Sequence, residues 1–177
     1  LYIGGTGQIS LPCVEASAAA GHKITILNRG KTTVPLPKGV EVLVGDMDSE
    51  AYRELGNRNF DVVAQFRLYT PDRMKRDIET FTGKTGQYVF ISSAAVYQKP
   101  VQNYLMTERT KQDNPFWEYA QLKTASELVL RDQDALPYTI VRPSHTVRTA
   151  LPIQVGEADI ALRRMTEGNP VILTGAG

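Results

Sequence analysis

Tyr119 and Lys123 stand four residues apart in a strong helical pattern, which places both side chains on one helix face. Upstream, an apolar run ends in Ser92-Ser93-Ala94-Ala95-Val96-Tyr97. Together these are the parts of an acid–base device. A free tyrosine hydroxyl loses its proton at roughly pH 10, so acting as a base near neutrality takes about 4 kcal/mol of preferential phenolate stabilisation. A lysine ammonium one helical turn away supplies part of that. A serine hydroxyl holds a substrate oxygen while Tyr119 removes or returns its proton. Tyr-x-x-x-Lys alone is a weak signal, because many amphipathic helix faces carry one. Its value here depends on what precedes it.

What precedes it is a glycine loop. The first apolar run passes straight into Gly4-Gly5-Thr6-Gly7-Gln8-Ile9-Ser10 and then into a helical pattern. Dinucleotide pyrophosphate requires such an arrangement: glycines permit the tight turn and the close backbone approach, and the phosphate charge sits on exposed N–H groups at the helix start. Gly4, Thr6, Gly7, Gln8 and Ile9 are therefore candidate cofactor-binding residues. Ser10 takes the third small position, where helix and strand must pack closely. The second apolar run ends Leu27-Asn28-Arg29-Gly30. An acid here would accept from the adenosine ribose hydroxyls of NAD, whereas an arginine accommodates a 2′-phosphate. Asn28 and Arg29 are assigned to cofactor binding on this ground, and the cofactor reads as NADP or NAD with NADP favoured. A bound nicotinamide adds positive charge beside Tyr119 and exchanges hydride while the proton moves. Lys123 can also hydrogen-bond the nicotinamide ribose, which makes Tyr119 and Lys123 cofactor-binding as well as catalytic candidates.

The elements that must position these residues alternate between apolar runs and helical patterns, the signature of parallel βαβ units. Strands are expected over 1–3, 23–27, 40–44, 61–65, 87–91, 138–141 and 170–173. Helices are expected over 8–20, 48–55, 71–81, 115–131 and 157–167. Gly21 reads as the stop of the first helix, Asp48 or Ser49 as the start of the second, and Pro71 as a first-turn residue of the third. Pro12 is expected to kink the first helix near its start. Phe116 and Trp117 are expected to pack the fourth helix onto the core. The fold class is α/β, a doubly wound parallel sheet of the NAD(P)-binding Rossmann type. Residues 1–146 read as the cofactor domain, and 147–177 as only the beginning of a C-terminal substrate lobe, with 147–155 the connection leaving the sheet. The chain opens at Leu1 inside an apolar run and stops at Gly177 in a turn, so both ends read as cut from a longer protein.

Composition narrows the partners. The 177 residues carry a net charge of +1, which leaves no basic footprint for nucleic acid and no polybasic face for a membrane. No apolar run approaches the roughly 20 residues of a bilayer span. One cysteine, Cys13, rules out an internal disulfide framework and fits a reducing cytoplasm. With two histidines beside that cysteine, the sequence argues against a zinc site, and no metal is assigned.

In order and distance, the glycine loop, Ser-Ser-Ala-Ala-Val-Tyr and Tyr-x-x-x-Lys resemble the extended short-chain dehydrogenase/reductase superfamily, in particular the NAD(P)-dependent epimerase/dehydratase family. The resemblance covers almost the whole chain. It implies Ser93 as the catalytic hydroxyl, with Ser92 second and bordering the cofactor. Gly45-Asp46-Met47 resembles the segment in which the acid contacts the adenine amino group and the next residue covers the ring, which adds Asp46 and Met47. Val141-Arg142-Pro143-Ser144-His145 resembles the family's Arg-Pro segment, which implies backbone contacts from Pro143 and Ser144 to the nicotinamide and a hydrogen-bonding His145. The chain departs from the family after the fourth strand. There a His-x-Ala-Ala-type segment is replaced by Ala64-Gln65-Phe66-Arg67-Leu68, and Arg67 is left to meet a phosphate or an acidic substrate, or to be solvated.

The function so implied is an epimerase, dehydratase or reductase acting on a nucleotide sugar or a related carbonyl/alcohol by Tyr/Lys/Ser-assisted hydride transfer. The small-molecule substrate is its partner, and a homodimer is compatible with the sequence. The competing reading is a non-catalytic NAD(P)-sensing or RNA-associated relative, because Leu27-Asn28-Arg29-Gly30-Lys31-Thr32 looks like chloroplast stem-loop-binding proteins of the same superfamily. Near-neutral charge weighs against strong RNA affinity.

Overall fold

The computed structural model describes residues 1–31, 34–144, 146 and 158–171. Six strands form one sheet: β1 (Tyr2–Ile3), β2 (Thr25–Asn28), β3 (Glu41–Val44), β4 (Phe60–Gln65), β5 (Thr85–Ile91) and β6 (Tyr138–Val141). Their order is β3-β2-β1-β4-β5-β6, and every pairing is parallel. This is the doubly wound Rossmann arrangement expected from the sequence. Its strand order reverses between β1 and β4, where such sheets gather ligands at their carboxyl ends. The helices are α1 (Ser10–Ala19), α2 (Glu50–Leu55), α3 (Pro71–Phe81), α4 (Glu118–Arg131) and α5 (Ala158–Thr166). The chain divides into two compact units, Leu1–Ser144 and His145–Gly177, of which the first holds the sheet and the second holds α5.

Burial explains why the strands lack polar alternation. Leu27 joins the larger core with Ile3, Val63, Tyr88 and Phe90, to which α2, α3 and α4 contribute Leu55, Met74, Phe81 and Leu130. Its neighbour Ile26 joins a second cluster with Ile24 and Val14 of α1. A strand covered on both faces needs apolar residues at every position. Edge strand β3 lacks that cover on one side, and Val42 and Val44 are exposed.

Local chemistry sets the helix ends. Ser49 caps α2 by accepting from the Tyr52 N–H at 3.3 Å, and Pro71 occupies the first turn of α3. Gly21, at φ +83°, closes α1, with its N–H on the Ala18 carbonyl and that of His22 on Ser17. Helix α1 starts two residues later than the pattern implies, so Pro12 falls in the first turn, where no helical hydrogen bond is lost. Helix α2 also starts two residues late, at Glu50, and α4 starts at Glu118 rather than 115. Phe116 and Trp117 precede it and are 77% and 54% exposed, so they do not pack it onto the core. Asn114 holds that entry instead, accepting from the Phe116 N–H and donating to the Ala95 carbonyl at 2.8 Å.

Pro170 and Val171 are not in a strand, and the rest of the expected seventh strand lies outside the described residues. So do Thr32, His145, the connection 147–155 and Glu157.

Candidate active site

The glycine loop leaves β1 with Gly4 at φ +87°, a conformation that favours glycine, and the Gly4 N–H reaches the Leu27 carbonyl at 2.8 Å. Ser10 does more here than fill a small position. Its buried hydroxyl donates to the Gly4 carbonyl at 2.6 Å and accepts from the Gly7 N–H at 2.9 Å, fastening the loop to the first turn of α1. The N–H groups of Gly5, Thr6, Gln8 and Ile9 have no hydrogen-bond partner among the described residues. Unpaired N–H groups at a helix start are the donors an anion can take, and that of Thr6 belongs to the cleft described next.

That loop opens onto a cleft of about 260 Å³ lined by Gly4, Thr6 and Gly7, by Asn28, Arg29 and Lys31 after β2, and by Asp46 and Met47 after β3. Arg67, Tyr69 and Arg73 complete its wall from the β4 side. The structure thus brings together the cofactor candidates that the sequence placed on three separate strand ends. Gln8 and Ile9 are exposed on the loop beyond this lining. Asn28 shapes the turn, its side-chain oxygen accepting from the Gly30 N–H at 2.8 Å. Asp46 does the same for the α2 entry, accepting from the Asp48 N–H at 3.0 Å.

Ser93, Tyr119 and Lys123 form a neighbouring cluster. The Ser93 hydroxyl accepts from the Ala95 N–H at 3.1 Å, which fixes it at the start of a single helical turn, Ala94–Val96. Lys123 is 1% exposed and donates to two main-chain carbonyls, Leu68 at 2.7 Å and Ile91 at 2.8 Å. Its ammonium lies 5.0 Å from the Tyr69 ring centre and 5.8 Å from that of Tyr119. Tyr69 therefore touches both groups of residues, lining the cleft and packing 6.2 Å from the Tyr119 ring. Burial pulls Lys123 down to about 8, with Glu127 opposing. Burial and the neighbouring Tyr69 raise Tyr119, which the Ser93 hydroxyl only partly offsets. Tyr119 is thus raised rather than lowered, and the Lys123 ammonium is committed to the Leu68 and Ile91 carbonyls.

Behind this cluster lies a charge network that spacing arguments passed over. Glu127, wholly buried on α4, accepts from Arg142 at 2.6 Å, from Ser92 at 2.5 Å and from Gln112 at 2.5 Å. Arg142 also donates to the Tyr97 hydroxyl at 3.0 Å and stacks on its ring. Burial alone would raise Glu127, but the hydrogen bonds from Arg142, Ser92 and Gln112 outweigh it and hold the carboxyl below its usual range. The Ser92 hydroxyl is thereby committed to Glu127, and Ser93 is the one beside Tyr119. The Pro143 carbonyl is likewise engaged, by the Ala94 N–H at 3.0 Å. Nothing in the local spacing marks Glu127, because its partners Arg142 and Ser92 lie 15 and 35 residues away.

A second buried acid, Asp77 on α3, accepts from Tyr52, from Tyr88 and from the Gln65 side chain, the last at 2.7 Å. Burial raises it to about 6 against these three donors. Gln65 in turn accepts from the Arg67 N–H at 2.8 Å, so the network ends on the cleft wall.

A family model described as NAD(P)H-binding matches residues 4–159, from the glycine loop past β6. The chain belongs to this NAD(P)H-binding family. None of the curated proteins matches it. Among solved structures, this NAD(P)H-binding chain is similar to a putative epimerase from Burkholderia cenocepacia J2315, at 21% identity over 97% of this chain and 61% of that one, with a TM-score of 0.74. It is also similar to a UDP-glucose 4-epimerase, at 22% identity over 97% and 61%, with a TM-score of 0.70. The Bordetella bronchiseptica enzyme WbmG in complex with NAD aligns at 18% identity over 96% and 60%, with a TM-score of 0.75. The motif resemblance is thus borne out at the level of an NAD(P)H-binding family and of a fold shared with epimerase structures. The chain spans about three-fifths of the length of each of these structures. Among the described residues, no helix is long and apolar enough to cross a membrane.

Proposed function

We propose that the protein is the cofactor-binding part of an NAD(P)-dependent epimerase/dehydratase-type oxidoreductase, acting on a nucleotide sugar or a related carbonyl/alcohol. The observation that carries this reading is the packing of Ser93, Tyr119 and buried Lys123 beside the cleft of the glycine loop. A binding module needs the loop but has no use for a tyrosine and serine pair with a buried lysine 5.8 Å from the tyrosine ring centre. Similarity to a UDP-glucose 4-epimerase and to an enzyme in complex with NAD supports a nucleotide sugar and a nicotinamide cofactor.

The residues present suit the dinucleotide. The free N–H groups of the glycine loop take the pyrophosphate, Asp46 and Met47 take the adenine, and Asn28 and Arg29 take the adenosine ribose, with Arg29 favouring a 2′-phosphate. When bound, the nicotinamide supplies the hydride acceptor or donor. Ser93 holds the substrate oxygen, and Tyr119 takes or returns its proton. Lys123 keeps a positive charge near the Tyr119 ring, with Glu127 favouring that charge. Ser92 and Pro143 set the backbone wall on the nicotinamide side. Residues 1–146 serve as the cofactor domain, and 147–177 open the substrate lobe.

Fluorescence titration of the full-length protein is expected to give an NADPH Kd in the micromolar range or tighter, with NADH weaker. Arg29→Ala should narrow the gap between the two, chiefly by weakening NADPH, and about tenfold corresponds to one lost charge-assisted contact. Binding of neither cofactor would contradict this assignment. Tight binding without turnover on any nucleotide sugar would favour the sensing reading.

A further inference from the structure

Arg67 occupies the position where the chain departs from its family, and its surroundings are unusual. Its stem crosses the first glycine of the loop so closely that a β-carbon on Gly4 would lie 2.2 Å from the Arg67 Cγ. The guanidinium stacks 5.4 Å from the Tyr69 ring centre, and no carboxylate pairs with it among the described residues. The main chain beneath it is held firmly. The Arg67 N–H is fixed by buried Gln65, and Gln65 is fixed by buried Asp77.

We infer that Arg67 is a further cofactor-binding residue, whose guanidinium holds the pyrophosphate bridge of the dinucleotide against the glycine loop. The inference rests on the reading of the cleft as the dinucleotide site. Strand order decides which part of the ligand Arg67 meets. Arg29 and Lys31 follow β2 on one side of β1, whereas Arg67 follows β4 on the other, so Arg67 and the adenosine end are separated by the loop itself. The remaining cation on the β4 side, Arg73, is paired with Asp48 at 3.1 Å, a carboxylate it shares with Arg76. Arg67 is therefore the cation on the β4 side that has no carboxylate partner among the described residues, and its stem lies against Gly4 of the loop. A guanidinium offers two parallel donors to phosphate oxygens, and the Tyr69 ring keeps its plane oriented without consuming a donor. The same contact explains why Gly4 must be glycine even apart from its φ: any side chain there would displace the arginine stem.

The test compares the full-length protein with Arg67→Gln and Arg67→Lys, titrated with NADH, NADPH and ADP-ribose at two salt concentrations. Arg67→Gln is expected to weaken all three by a similar factor, about tenfold or more, with a shallower salt dependence and an unchanged Tm. Arg67→Lys should fall between, because it keeps the charge and loses the fork. Weakening of NADPH alone would move the contact to the 2′-phosphate and overturn the inference. Unchanged Kd values with a raised KM for the sugar substrate would overturn it in favour of a substrate contact. If the wild-type protein binds none of the three ligands, the cleft reading itself fails, and that outcome is distinct from normal wild-type binding with no effect of Arg67→Gln.

Discussion

Tyr119→Phe is expected to lower kcat by at least about 100-fold on the nucleotide sugar turned over by the wild type, the low end of what a positioned acid–base group contributes. The Kd for NADPH should change by less than about twofold, since the phenol ring and its packing on Tyr69 and Trp117 remain. Only the hydroxyl is lost, and in the proposed chemistry that hydroxyl is the proton carrier. The pH profile adds a second readout. Lys123 is held at about 8 by burial, with Glu127 opposing. In the direction in which Tyr119 gives up its proton, the rate should be level in mild acid and fall above about pH 8, as the Lys123 ammonium near the Tyr119 ring becomes neutral. Stopped-flow hydride transfer at 340 nm reads both effects. Unchanged turnover in Tyr119→Phe would move the chemistry to another group.

The largest effect on stability is expected from Glu127→Gln. This substitution removes the charge from a buried carboxylate that serves Arg142, Ser92, Gln112 and Arg131 together, leaving Arg142 without its counter-ion. Breaking a buried pair from one side costs about 3 kcal/mol or more, because the remaining charge is stranded. The urea midpoint should fall with the slope unchanged, and Tm should drop by about 5–10 °C. The sign of the pH dependence follows from the lowered carboxyl. Glu127 contributes stability above the ordinary carboxylate value of 4.5 and loses it as pH falls through its depressed folded value. The gap between wild type and Glu127→Gln should accordingly narrow in acid. Exchanging both partners, Glu127→Leu with Arg142→Met, should restore much of the loss, since apolar replacement of a whole pair is often neutral. A loss below about 1 kcal/mol for the single substitution would show that the Glu127–Arg142 pair does not hold α4 to the segment after β6.

How far the sequence could be read depended on whether a residue signals through spacing or through distance in space. The glycine loop, Asn28-Arg29, Ser93 and the Tyr119/Lys123 pair announce themselves within short windows, and the alternation of apolar runs with helical patterns announces the parallel sheet. The Ser10 staple was half visible: a small residue was expected there, but its hydroxyl bonds depend on the turn that brings Gly4 and Gly7 within reach. Glu127 and Asp77 were not legible. Each is an acid in a helix that reads as solvated until Arg142, 15 residues away, or Tyr52, 25 residues away, is folded against it. Phe116 and Trp117 misled for the opposite reason, because aromatic residues before a helix suggest burial, yet Asn114 fixes that entry and leaves both exposed.

One cofactor molecule must reach from the glycine loop to Lys123 if the two clusters are one site. Hydrogen exchange of the full-length protein with and without saturating NADPH tests that span directly. Protection is expected together at the glycine loop, at Asn28 and Arg29, at Asp46 and Met47, and at the start of α4 around Tyr119. Protection confined to the loop and the β2 and β3 ends, with α4 unchanged, would contradict it and leave a nucleotide-binding fold whose Ser93, Tyr119 and Lys123 do no redox chemistry.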